Sequence, residues 1–292
     1  MANGRPTLKA LLGNYPYTAA LKSRAVTSDR FDLDFIEIEP VWDGFKGMIR
    51  EDKYDISEMA VVTYLLARAH GKPLALLPAT MTGRFQHRYA IYNAMSGVLT
   101  PKDLHGKRVG IRSFTTTTGA WIRGILAEDY GVDLDRVDWI TFEDPHVAEY
   151  RDATRRAPAG KKIVPMLLDG ELDAVLGENS ADPRIRSLFG DPQAEARRWY
   201  EKHKLIPINH LVVMRSADVR NDPETAREVW RLLKTAKSMA PPPSEPDPVP
   251  FGIELNRRSL QMIADSVFRQ GLIPKRMTVD QMFEETKNIV AD

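Results

Sequence analysis

An α/β fold with mainly parallel strands is what this 292-residue sequence predicts. Two observations carry the prediction. Apolar runs of strand length alternate with segments of helical periodicity along the chain, the pattern of strand–helix–strand units. Glycines such as Gly71 and Gly131 close the helical segments, where a left-handed residue ends a helix. No repeat of fixed period is present.

Taken in order, "TLKALLG" reads as a strand and "YTAALKSR" as a helix, and "LDFIEIEP" alternates as a half-buried strand does. "VWDGFKGMIREDK" puts Trp42, Phe45, Met48 and Ile49 on one helical face. "YDISEMAVVTYLLARAHG" turns from a short strand into an apolar helix, with Ser57 as the expected N-cap of a helix beginning at Glu58. "PLALLPAT" and "RYAIYN" are strands. A second unit opens near "TPKDLHGKRVGIRS": strand "KRVGIR", helix "GAWIRGILAEDYG", strand "VDWITFE", then the helix and short strand of "KKIVPMLLDGELDAVLGEN". "INHLVVMR" is again a strand. Helices follow over 223–239 and in "NRRSLQMIADSVFRQG", separated by the stiff loop "PPPSEPDPVP", and the tail adds a last helix.

Composition narrows the function classes. Hydrophobic residues make up 43% and charged residues 28%, as in ordinary globular proteins. A net charge of +1 gives no electrostatic case for nucleic acid or an anionic membrane as a partner. The absence of cysteine excludes disulfides, a thiol nucleophile and a zinc–thiolate site. "MANGRPTLKALLGNYPYTAAL" lacks the pattern of a secretory signal, and no apolar stretch reaches bilayer length, so a cytoplasmic location is expected. Oligomeric state is not readable; a homo-oligomer stays open.

In a parallel α/β fold, ligands gather at the carboxyl ends of strands, where helix N-termini point. That rule nominates "GNYPYT", "DISEM", "GIRSFTTTTGAW" and "TFEDPHVAEY". The run Thr115, Thr116, Thr117, Thr118 before Gly119 and Trp121 reads as a turn into a helix. Its hydroxyls and free amides suit a carboxylate or phosphate, with Arg112 adding charge and Arg123 on the solvent face; its plainer reading is a single N-cap. Glu58 reads either as a favourable first-turn acid or as a group that takes and gives a proton. Asn14, Tyr15 and Tyr17 suit a flat ring bearing hydroxyls, or ordinary packing. Among six histidines, His70, His105 and His203 read as structural or solvated. His87, His146 and His210 sit at expected lobe crossings or junctions and point to a shared site. A divalent metal held by them with Glu143 or Asp144 is the lesser alternative to no cofactor. No G-x-S-x-G, P-loop, H-E-x-x-H or G-x-G-x-x-G motif occurs, so redox cofactors and nucleotide hydrolysis are unsupported.

"YDISEM", "AIYN", "PKDLHGKRVGIR", "WIRGILAEDYGVD", "GELDAVL" and "PFGIELNRRSL…QGLIPKRMT", in this order, resemble the 4,5-dihydroxyphthalate decarboxylase family, relatives of ABC-transporter solute-binding proteins. The resemblance runs over most of the chain. It implies a two-lobed periplasmic-binding-protein type II-like fold: lobe 1 from 1–93 plus 212–292, lobe 2 from 94–211, each a mainly parallel sheet flanked by helices, the ligand cleft between them. It implies a cofactor-independent carboxy-lyase acting on a small aromatic carboxylate. In that setting the threonine turn would anchor a carboxylate, and His146 with Glu58 or His87 would move protons. Tyr15, Phe85 and Trp121 would wall the ring, Arg84 or Arg112 would balance charge, and Asn14 and His210 complete the ligand-facing set. The chain departs from the group's pattern at "FTTTT" and "GNYPYT", which points to a branch with its own substrate. A non-catalytic solute-binding protein for a small carboxylate is the alternative, and a lyase of other chemistry on the same fold, such as one of the menaquinone-pathway type, is a third.

Overall fold

A computed structural model of the chain describes residues 4–290. The chain first lays down β1 (Thr7–Leu11), α1 (Ala19–Lys22), β2 (Asp32–Phe35), α2 (Phe45–Glu51), β3 (Ile56–Ala60), α3 (Val61–Ala69) and β4 (Leu74–Gly83). It then crosses to β5 (Ala90–Asn93), β6 (Arg108–Ile111), α4 (Thr117–Tyr130), β7 (Asp138–Thr141), β8 (Arg155–Arg156), α5 (Ile163–Leu168), β9 (Ala174–Leu176), β10 (Ile185–Ser187) and α6 (Pro192–His203). It returns through β11 (Ile208–Arg215) to α7 (Ser216–Asn221), α8 (Pro223–Ser238), α9 (Ile253–Arg269) and α10 (Val279–Met282).

Two sheets result. One has the strand order β2-β1-β3-β11-β4, the other β10-β5-β9-β6-β7-β8. Both are mixed rather than mainly parallel. β1, β2 and β3 run parallel, as do β9, β6, β7 and β8, but β11 pairs antiparallel with β3 and β4, and β5 antiparallel with β9 and β10. The two strands that enter a sheet directly from the other lobe are the ones that run against it. β5 belongs to the second sheet, and β11 to the first sheet from Ile208.

Local chemistry accounts for several ends. Asp191 caps α6 by accepting from the amides of Gln193 and Ala194, with Pro192 at the first position; Asp222 and Pro223 do the same for α8. α8 buries Ala226, Val229, Trp230 and Leu233, the spacing of one helical face. α4 stops at Gly131, whose φ of 67° is left-handed. Gly124 lets α4 lie close on α9, since a Cβ there would meet Ser266 Oγ at 2.4 Å.

Three local expectations fail. Glu58 is in the middle of β3, not at a helix start; α3 begins at Val61 with Ala60 as its N-cap, so Ser57 caps nothing. Arg123 is fully buried: its guanidinium stacks 3.9 Å from the Phe114 ring centroid, and it donates to Gln270 Oε1 and the Phe114 carbonyl. "TFEDPHVAEY" does not lead into a helix; residues 142–154 are irregular. Among the described residues no helix is long and apolar enough to cross a membrane.

Candidate active site

Register builds the centre of the site. On the paired strands β3 and β11, Ala60 faces His210 and Val212 faces Glu58. Residues two apart point to one face, so Glu58 and His210 are diagonal neighbours on it, within reach of long side chains. His210 Nδ1 lies 2.6 Å from Glu58 Oε1. The turn after β1 completes the carboxylate's coordination: Gly13 N–H donates to Oε2 at 3.0 Å and the Tyr15 hydroxyl to Oε1 at 2.8 Å. The Glu58 side chain has no exposure, whereas that of His210 keeps 13%. A buried carboxylate is tolerated when its oxygens are paired in this way. Burial and the Glu58 charge push the phenols of Tyr15 and Tyr17 well above their usual range, so both stay protonated and donate.

A second histidine approaches from the other lobe. His146 Nδ1 is 2.9 Å from Thr63 Oγ1 in the first turn of α3. Arg50 donates to the carbonyls of Pro145 and His146, at 2.7 and 2.9 Å, and holds that loop against α2. Phe45 stands edge-on to both imidazoles, with ring centroids 5.9 Å from His146 and 5.2 Å from His210. Burial, then the nearby charge of Arg112, pulls His146 down to about 3, so its ring is neutral at ordinary pH. Arg112 lies within 3.8 Å of Glu143 and 5.9 Å from the ring centroid of Trp42, which is exposed rather than packed on the face expected for it. Glu178, just past the carboxyl end of β9, is half-buried; desolvation raises its carboxyl although Arg112 opposes this.

The threonine run closes the interlobe seam. Thr117 Oγ1 accepts from the Val62 amide at the start of α3, at 3.1 Å. Thr118 Oγ1 accepts from Arg84 Nη2 at 3.3 Å and Asn209 Nδ2 at 3.1 Å. Thr115 pairs with Ser113 at 3.2 Å. Thr116 occupies the N-cap position, yet its hydroxyl makes no capping bond and is buried without a partner.

Several nominated residues lie elsewhere. His87 is buried against Phe189 and Trp199, and burial lowers it to about 4. Phe85 packs on Trp199 and Tyr200, and Trp121 is buried with its indole bonded to the Ile208 carbonyl. Asn14 joins the surface cluster of Lys22 and Glu37. His87, His146 and His210 therefore do not converge with Glu143 or Asp144, and Asp144 pairs with Arg156 instead. Among the described residues no group of three His, Asp or Glu side chains is placed to hold a metal ion. Sequence reasoning passed over Phe45, Thr63 and Glu178. Of these, Glu178 carried a usable signal: it ends "DAVLGE", a parallel strand whose carboxyl end lies beside that of β6.

A curated 4,5-dihydroxyphthalate decarboxylase of Comamonas testosteroni is 30% identical over 249 residues, covering 80% of this chain and 75% of the relative. The chain belongs to the 4,5-dihydroxyphthalate decarboxylase family. A second relative, the 4,5-dihydroxyphthalate decarboxylase of Pseudomonas putida, is 28% identical over 209 residues, 66% of this chain and 81% of its own length. Membership makes the chain an enzyme, a carboxy-lyase. The fold is that of periplasmic binding proteins: the aliphatic sulphonate binding protein SsuA of Escherichia coli superposes with a TM-score of 0.58 at 12% identity, covering 97% of this chain and 99% of SsuA. No family model matches the chain. Within the site, the contacts of Glu58 with His210 Nδ1, the Tyr15 hydroxyl and the Gly13 amide fix the orientation of the His210 ring.

Proposed function

We propose that the chain removes one carboxylate from a hydroxylated aromatic acid of the 4,5-dihydroxyphthalate kind, in the cleft between the two sheets. The observation that carries this reading is the buried Glu58 carboxylate 2.6 Å from His210 Nδ1. That contact orients the imidazole and leaves Nε2 as the position that exchanges a proton with a ligand. In the step, the ring carbon bearing the carboxylate takes a proton from His210 Nε2. The bond to the carboxyl carbon then breaks, its electron pair restores the aromatic ring, and carbon dioxide leaves. His210 regains a proton from water, so the net change is one carboxylate plus one proton giving one C–H bond and carbon dioxide.

The surroundings support each need of that step. Phe45 presents an apolar edge beside both histidines, and stripping water from the departing carboxylate favours its loss. Neutral His146 suits a hydrogen bond to a phenol oxygen. The Val62 amide, Arg84 and Asn209 all donate to threonine hydroxyls at the start of α4, and the second carboxylate of the substrate would compete for these donors. This reading moves the proton-transfer role from His146 and His87 to His210.

The test is carbon dioxide release from 4,5-dihydroxyphthalate, followed in wild type and in His210→Gln. Turnover in the first and a loss of about 10²–10⁴-fold in kcat in the second are expected. No turnover of this or other hydroxylated phthalates and benzoates, together with a raised melting temperature in their presence, would replace the reading with a binding role.

A further inference from the structure

The cleft extends past the Glu58–His210 pair along two aromatic rings. Phe45 stands between the two histidines, 5.2 Å from His210 and 5.9 Å from His146 by ring centroids. Trp42, three positions earlier in the chain, meets the Arg112 guanidinium 5.9 Å from its own ring centroid. Phe45 and Trp42 come from the segment between β2 and β3, in the first sheet's half of the chain. His146 and Arg112 leave the second sheet. The rings therefore lead from the proton-handling pair to the carboxyl ends of the second sheet's strands.

Three of those strands end side by side. β9, β6 and β7 are parallel, with Ile111 level with Leu176 on one side and Thr141 on the other. Arg112 continues β6, and its carbonyl accepts from the amides of Phe142 and Glu143 at 3.0 and 2.7 Å. Gly177 follows β9 with a left-handed φ of 93°, and its amide donates to the Tyr89 carbonyl at 2.7 Å. Glu178 thus starts from an anchored position beside Arg112. Its carboxyl is half-buried, and among the described residues it takes part in no hydrogen bond and no ion pair. Burial raises it, and the Arg112 charge opposes the rise from close by. Glu143, by contrast, is exposed and lies within 3.8 Å of Arg112. An acceptor drawn partly out of water and left unused in a cleft is a place for a ligand's donors.

We propose that Glu178 is the specificity-determining residue for two adjacent ring hydroxyls, accepting both O–H groups with its two carboxylate oxygens. The inference rests on the decarboxylation reading for where the ring lies. A carboxylate accepts and does not donate, and its bonds to hydroxyl donors are charge-assisted. A phenol oxygen that accepts from His146 still has its own proton to give to Glu178. The same charge repels a ligand carboxylate, so it also sets which way round the ring enters. In 4,5-dihydroxyphthalate the hydroxyls are on the edge of the ring opposite the carboxylates. Glu178 would hold that edge while the donors at the start of α4 hold the other.

Isothermal calorimetry on the full chain compares 3,4-dihydroxybenzoate with benzoate, and the readout is the ratio of their dissociation constants. The wild type is expected to favour the diol about 10–100-fold. In Glu178→Gln that preference should fall by about tenfold or more. Glu143→Gln also removes a negative charge beside Arg112, but from an exposed carboxylate, and should keep the preference. A wild type that does not favour the diol overturns the assignment without any variant. So does a preference unchanged in Glu178→Gln, including an equal shift of both ligands, which reports charge alone. A preference lost equally in Glu143→Gln overturns it as well, because the effect then acts through Arg112. These measurements need no turnover, so carbon dioxide release from 4,5-dihydroxyphthalate tests the decarboxylation reading separately.

Discussion

Glu58 shows how much of a residue's role comes from outside its neighbourhood. The three groups that hold it, Gly13, Tyr15 and His210, are 45, 43 and 152 positions away. In sequence, a serine and a glutamate ahead of an apolar helical run have the form of a helix start, and that is how "DISEM" reads; in the fold both are in a strand buried along its length. Glu58→Gln keeps the shape and its one amide oxygen can still accept from Gly13, but it puts an NH2 group where Oε1 met Tyr15 and offers no carboxylate to His210. We expect kcat to fall about 10²–10⁴-fold with the affinity for 3,4-dihydroxybenzoate little changed. Steady-state kinetics paired with calorimetry check this; an undiminished kcat would remove Glu58 from the proton pathway. His146 makes the opposite case. Because its ring titrates near 3, His146→Gln should leave any inflection of the pH–rate profile between pH 5 and 8 in place.

At the scale of elements, the start of α4 separates two readings of the same four threonines. A simple N-cap would make Thr116 the residue that matters, worth about 1 kcal/mol. The structure gives its hydroxyl no partner, and gives Thr117 the Val62 amide of α3. Thr117→Val should therefore cost about 1–3 kcal/mol, because it strands a buried donor, whereas Thr116→Val should be neutral or slightly stabilising. Urea denaturation of the two variants decides, and the reverse order would restore the capping role. Other element ends were legible in sequence because their chemistry is local. Asp222 with Pro223 starts a helix through its own next three residues, and Gly131 ends one through its own φ. Arg123 was not legible, since its burial depends on Gln270 and on the ring of Phe114.

Across the whole molecule, buried His87 and half-buried His146 tie stability to pH. His87 and His146 titrate at about 4 and about 3 in the folded chain, against about 6.5 when exposed. Between those limits the unfolded chain binds protons that the folded chain does not, so stability falls as the pH drops below about 6.5. The loss continues until the folded-state values are passed. Each such histidine adds about 1.4 kcal/mol per pH unit to the slope where the two states differ by a full proton. In His87→Phe the slope between pH 4.5 and 6 should fall by about one proton, read from urea unfolding at several pH values. An unchanged slope would mean that His87 is not held neutral by its burial. His87 belongs to this whole-molecule behaviour, not to the site: the crossing strand that made it look interlobar delivers it into the packing of Phe189 and Trp199.

The sequence by itself determined the α/β alternation, the order of the elements and the loops at strand ends where a ligand would gather, because periodicity and turn chemistry act within a few residues. It also carried the family, through short segments spread along the chain. Only the tertiary structure decided which histidine meets which acid. Glu58 and His210 become neighbours through the antiparallel register of β3 and β11, and a shift of one residue there would send the two side chains to opposite faces. Whether a polar side chain is buried and paired, as Glu58 is, or buried and idle, as Thr116 is, depends likewise on groups that only the folded chain brings near.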